Sequence, residues 1–155
     1  RDEEACTMSQ NDQRRVFVAQ AENGKLTDTD ILQVLSAAEI DLATVTIVTR
    51  ATDLATITER DAAVLILEDG KEDSDLLRET AFSAAKAGVC NIVGLWAPGQ
   101  TETGIHPAAA KYSTAQIPWD PKKLKDELGS DCEHAFLTPD GEEADPNEVE
   151  PNECE

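Results

Sequence analysis

The chain has 155 residues, a formal charge of -19 and an isoelectric point near 4.2. That length suits one hydrophobic core and is too short for two well-filled ones, while a surface this negative repels the phosphates of nucleic acid and anionic lipid. No stretch approaches the roughly 20 apolar residues of a membrane span, and the polar opening RDEEACTMSQNDQRR is unlike a signal peptide, so a cytoplasmic protein with no nucleic-acid or membrane partner is expected.

After a polar extension over residues 1–13, the segment Arg14 to Gln20 (RRVFVAQ) is β-branched and aromatic and predicts a first strand. The loop AENGKLTDTD follows, with Asn23-Gly24 as its turn. Thr27 or Asp28 can cap a helix whose stripe Ile31, Leu32, Val34, Leu35 and Ala38 has helical spacing and ends near Glu39. Thr44 to Thr49 (TVTIVT) is almost wholly β-branched and predicts the second strand. One or two helical turns are expected over Asp53 to Arg60. The apolar run from Ala62 to Glu68 then reads as a strand covered on both faces, the centre of a sheet.

An Ala-rich helix is predicted from about Asp75 to Ala87, capped by Asp73 or Ser74 and stopped by Gly88. Asn91 to Trp96 gives the fourth strand. A short helix over Pro107 to Tyr112, a terse strand at Ala115 to Trp119 and a helix from Pro121 to Leu128 complete a domain over residues 14–129. Pro121 fits the first turn of its helix, where no N–H is needed. From Ser130 to Glu155 the chain carries ten Asp or Glu and no Lys or Arg, an acidic tail expected to lie outside the packed core.

Five alternations of strand and helix favour a three-layer, doubly wound α/β fold with a five-stranded parallel sheet. The flavodoxin-like order 2-1-3-4-5 puts a switch point between the first and third strands, and open α/β sheets bind ligands there, beyond the carboxyl ends of their strands. Ala19, Gln20, Glu22, Asn23 and Gly24 on one loop and Asp69, Gly70 and Asp73 on the other would then line a crevice, with Trp96, Pro98 and Gly99 as a wall. Glu79 stands one turn inside the third helix, whose Leu77, Ala81 and Ala84 face the sheet, so its carboxylate can lean toward the loops.

Other chemistry has little support. Gly24 and Gly70 are isolated, so no glycine-rich phosphate loop is present. The two histidines, His106 and His134, lack partners at metal-ligand spacing, and neither metal nor cofactor is implied. A phosphorelay pocket built on Asp61, Asp69 and Asp73 lacks the lysine that should follow the fifth strand. Cys90 reads as a small core residue at a helix-to-strand junction. Cys132 and Cys154 bracket the tail and either bridge it or remain free thiols. Phe82 shares a flank with Glu79 and would mark a contact surface if exposed, and Tyr112 is expected under the last helix.

The run AAVLILE, an Asp-Gly turn, a helix bearing one Glu and the strand IVGLW together resemble the Toll/interleukin-1 receptor (TIR) domains and the related nucleoside 2-deoxyribosyltransferases. In the transferases an Asp-Ser pair precedes the helix and a Glu follows six residues after that Asp, the spacing of Asp73, Ser74 and Glu79. The resemblance implies a nucleotide or nucleoside ligand, such as a nicotinamide dinucleotide, and N-glycosidic cleavage with Glu79 as the catalytic carboxylate. The chain differs in having Asp75, Leu76 and Leu77 where the transferases have small residues, Leu76 where TIR domains have Trp, and AQAENG where TIR domains open Ser-rich. A non-catalytic module of the same fold, acting through a protein partner or self-association, is therefore the alternative expectation.

Overall fold

A computed structural model describes residues 14–22, 24–69, 74–129 and 135–144. Strands β1 (Val16–Ala19), β2 (Val45–Ile47), β3 (Ala62–Leu67), β4 (Asn91–Trp96), β5 (Ala115–Ile117) and β6 (Ala135–Phe136) form one sheet in the order β2-β1-β3-β4-β5-β6. Every pairing is parallel, and Val18, Val64, Val93 and Ala115 lie in register across the middle. The flavodoxin-like order is as expected, with one strand more. That sixth strand lies inside the stretch read from sequence as an acidic tail.

Side chains alternate across a strand, so each strand feeds two cores. Helices α1 (Asp28–Ala37) and α4 (Pro121–Leu128) cover Val16, Val18, Val64, Ile66, Val93 and Leu95 on one face. Helices α2 (Asp75–Ala87) and α3 (Pro107–Ala110), with a 3-10 turn at Ala51–Leu54, cover Phe17, Ala19, Leu65, Leu67, Ile92 and Trp96 on the other. β3 and β4 are buried along their whole length, which is why they read as unbroken apolar runs. Burying each large aliphatic side chain there contributes roughly 1.5–3 kcal/mol.

Local signals set the helix ends. Thr27 and Asp30 form a reciprocal capping box on α1, and the hydroxyl of Ser74 caps α2. Gly88 ends α2 at φ 84°, a left-handed conformation suited to glycine. Gly94 is required for another reason: a Cβ there would lie 2.7 Å from Leu67 Cδ1 and 3.4 Å from Ala109, so α3 packs directly on the β4 backbone.

Three expectations are corrected. Cys90 is exposed and disulfide-bonded, not a core residue; its partner lies outside the described residues, as do Cys132 and Cys154 and the question of a bridge between them. Tyr112 packs edge-to-face on Phe82 of α2 at 6.0 Å and not under the last helix. The helical turn before β3 is the 3-10 segment Ala51–Leu54, earlier than Asp53 to Arg60.

β6 is held by side chains of its neighbours more than by its own composition. Trp96 Nε1 and Gln116 Nε2 both donate to the Leu137 carbonyl at 2.9 Å, and Leu137 N donates to the Gln116 carbonyl at 2.7 Å. A return from Thr138 to Ala144 then closes on Phe136 O. Among the described residues no helix is long and apolar enough to cross a membrane.

Candidate functional site

The expected crevice residues occupy three different settings. Gln20 folds back on its own loop, Nε2 donating to Leu26 O at 2.8 Å. A Cβ at Gly24 would lie 2.2 Å from Gln20 Oε1, so these two residues form one closed turn, pinned by Gly24 N to Ala21 O at 2.8 Å. Asp69 reaches across to the loop after β4: its carboxylate accepts from Thr101 N at 2.8 Å, Thr101 Oγ1 at 2.9 Å and Glu102 N at 3.3 Å. Trp96 is fully buried, edge-on to His106 at 5.6 Å, and is engaged in packing and not presented as a wall. Asn23, Gly70 and Asp73 lie outside the described residues.

Glu79 is exposed and lines a recess of about 260 Å³ with Glu22, Thr49, Arg50, Ala51, Asp75 and Leu76. Its position follows from α2: Leu77, Thr80, Ala81 and Ala84 turn to the sheet, which leaves Asp75, Glu79, Phe82 and Lys86 on the outer flank at three- and four-residue spacing. The first part of that flank, Asp75 and Glu79, borders the loops after β1 and β2, while Phe82 meets Tyr112. Glu79 therefore shares its recess with Thr49 and Arg50, and Asp69 is not among the residues lining it. Sequence reasoning missed Thr49, Arg50 and Ala51, although the strand order contained the signal: β2 lies beside β1, so its carboxyl-end loop also borders the switch point.

Two carboxylates, Glu22 in the recess and Asp53 beside it, are bonded to the chain's own amides. Glu22 lies across the start of α2, Oε1 accepting from Ser74 Oγ at 2.8 Å and Oε2 from Leu76 N at 3.0 Å. Its own amide and the Ser74 hydroxyl hold its carboxyl below the usual range, against a smaller upward push from burial. Asp53 does the same for the loop after β2, accepting from Thr49 N at 2.9 Å, Thr49 Oγ1 at 3.1 Å and Arg50 N at 3.3 Å. The Thr49 amide leads in drawing its carboxyl down.

Deeper at the same edge, His106 Nδ1 accepts from Ala108 N at 3.0 Å, so the ring is neutral with its hydrogen on Nε2, directed at the Glu68 carbonyl 2.9 Å away. Both ring nitrogens serve the fold. A larger cleft of about 420 Å³ lies at the amino end of the sheet between Arg14, Glu39, Asp41 and Lys125, away from the end where parallel sheets take ligands.

The fold defines the chain as a flavodoxin-like α/β domain. No family model, curated protein or solved structure matches it.

Proposed function

We propose that the chain binds a nucleoside or nucleotide in the Glu79 recess and cleaves its N-glycosidic bond. The observation that carries this reading is the placement of one exposed carboxylate, Glu79, where the loops after β1 and β2 meet the first turn of α2. Leu76 and Ala51 offer an apolar surface to a base, and Arg50 offers donors to sugar hydroxyls. As the C1′–N bond breaks, its electron pair leaves with the base and positive charge builds on the ribose, next to the Glu79 carboxylate. A water oxygen then bonds to C1′ and its proton passes to Glu79 or to solvent.

A pyridinium base suits this site best, because it departs neutral and needs no proton donor. Incubation with nicotinamide riboside, NAD and deoxynucleosides, followed by chromatography for free base, tests the reading. Release should fall by at least about a hundredfold in Glu79→Gln. No release from the native chain, or equal release from the variant, removes it.

A second reading, a non-catalytic interaction module, is favoured by one separate feature. Phe82 is 48% exposed and stacks edge-to-face with Tyr112, with Lys86 Nζ 6.0 Å above the Phe82 ring and Lys111 Nζ 5.4 Å above the Tyr112 ring. Among the described residues neither ammonium group has a carboxylate within salt-bridge distance. Concentration-dependent association that is lost in Phe82→Ser, together with no base release, would favour this module.

A further inference from the structure

We propose that the recess selects a cationic nucleoside carrying no phosphate, and that Glu22 and Asp53 set this preference. The inference rests on reading the Glu79 recess as a ribosyl site, and adds the charge class of its ligand. Phosphate groups bind proteins where backbone N–H groups converge without a partner, at helix starts and in tight turns. Among the described residues, three clusters of amides around the switch point are each filled by a carboxylate of the chain itself.

Glu22 takes the Leu76 amide at 3.0 Å and, through Ser74, whose hydroxyl also accepts from Leu77 N at 3.0 Å, the next amide of α2. Asp53 takes the Thr49 and Arg50 amides. Asp69 takes those of Thr101 and Glu102. A phosphate reaching these amides would have to displace Glu22, or Asp53 beside the recess, while facing Glu79 on the rim. Among the described residues, Arg78 is already paired with Asp75, which leaves Arg50 as the one guanidinium lining the recess.

The balance has the opposite sign for a pyridinium riboside. Its positive ring is attracted by Glu22 and Glu79, Asp75 being neutralised by Arg78, and its uncharged 5′-hydroxyl asks for no anion site. At separations of about 5–6 Å, with a dielectric between that of a protein surface and that of water, one added unit of charge changes affinity by about tenfold or more. A doubly charged phosphate should suffer more.

Two probes that cannot be cleaved, the carbocyclic analogue of nicotinamide riboside and its 5′-phosphate, separate this inference from the reading beneath it. Each is titrated into the full chain at low salt while the backbone amides of Arg50, Leu76 and Glu79 are followed by NMR. The riboside analogue should shift those amides, and the 5′-phosphate should bind at least about tenfold more weakly. Glu22→Gln, whose single amide oxygen can still accept from Leu76 N while its NH2 faces the Ser74 hydroxyl, removes the charge and should narrow that ratio. Asp53→Asn should narrow it independently, and so should raising salt to about 0.15 M, where the screening length falls to about 8 Å. Equal or tighter binding of the phosphate, or a ratio unchanged in both variants, overturns the inference while leaving a ribosyl site in place. If neither probe shifts those amides, the ribosyl site falls and the inference with it.

Discussion

The two ends of the sheet satisfy their carboxylates in opposite ways. At the amino end, Asp61 accepts from the Arg15 guanidinium at 3.0 Å and Glu39 from Lys125 at 2.7 Å, so hydrogen bonding and charge are settled together. At the carboxyl end, Glu22, Asp53 and Asp69 accept from amides and hydroxyls, so hydrogen bonding is settled and the negative charge remains. Saturation and neutrality are therefore separate properties. The amino end is arranged for cohesion, and the carboxyl end keeps a field that a ligand can feel.

The largest effect should come from the amino end. Asp61 is buried and ties β1 to β3, taking Arg15 N at 3.2 Å and Thr58 N at 2.8 Å in addition to the guanidinium. Asp61→Ala would leave both amides and part of the guanidinium without an acceptor, a loss of about 2–4 kcal/mol by urea denaturation. Burial pushes this carboxyl up, but the bonds from Arg15 and Thr58 outweigh it and hold it below its ordinary value. The folded pKa is thus depressed. The associated stability is fully present above the unfolded value of about 3.9 and drains away as pH falls through the folded one. The gap between the native chain and Asp61→Asn should accordingly close on acidification below about pH 4; a constant gap would break the amino half of the comparison.

An intermediate effect tests whether neutral bonds at the carboxyl end carry comparable weight. Gln116 is fully buried and bonds the His106 amide at 2.8 Å, the Leu137 carbonyl at 2.9 Å and the Gly104 carbonyl at 3.3 Å. Gln116→Leu keeps the volume but strands these groups, at about 1–3 kcal/mol. Because β6 depends on the Leu137 carbonyl, its amides should lose hydrogen-exchange protection before those of β3 and β4. Uniform loss across the sheet would mean that β6 is not the separable edge described above.

Much of this architecture is legible in the residues. Unbroken apolar runs mark β3 and β4, and Thr27, Ser74, Gly88 and Pro121 mark helix ends, because each acts through its immediate neighbours. What could not be read depends on distant partners. The Ala135-Phe136-Leu137 run is too short and too acid-flanked to signal a strand, and it becomes one through Trp96 and Gln116, more than 20 residues away in each case. Glu79 was legible as an acid near the start of a helix. Its neighbours were not, since a rotation of α2 decides whether it meets Asp69 or Arg50. Glu22 was legible as a loop residue facing the crevice but not as a cap, because capping a helix from 52 residues away leaves no local spacing to find.

The smallest effect is the one that separates the two ends most cleanly. Glu22→Gln should alter global stability by only a few tenths of a kcal/mol, since the residue is exposed and the amide oxygen can still cap α2. Its carboxyl is held below the usual range, so what it contributes is present above the unfolded value near 4.3 and lost as pH falls through the lower folded one. Salt should erase most of even that contribution. If the same substitution changes which ligands enter the recess while barely moving the urea midpoint, the residual charge at this end acts on recognition and not on cohesion. If instead it destabilises the chain as much as Asp61→Ala, then Glu22 is a structural tie like Asp61, and the two ends of the sheet are built on one principle after all.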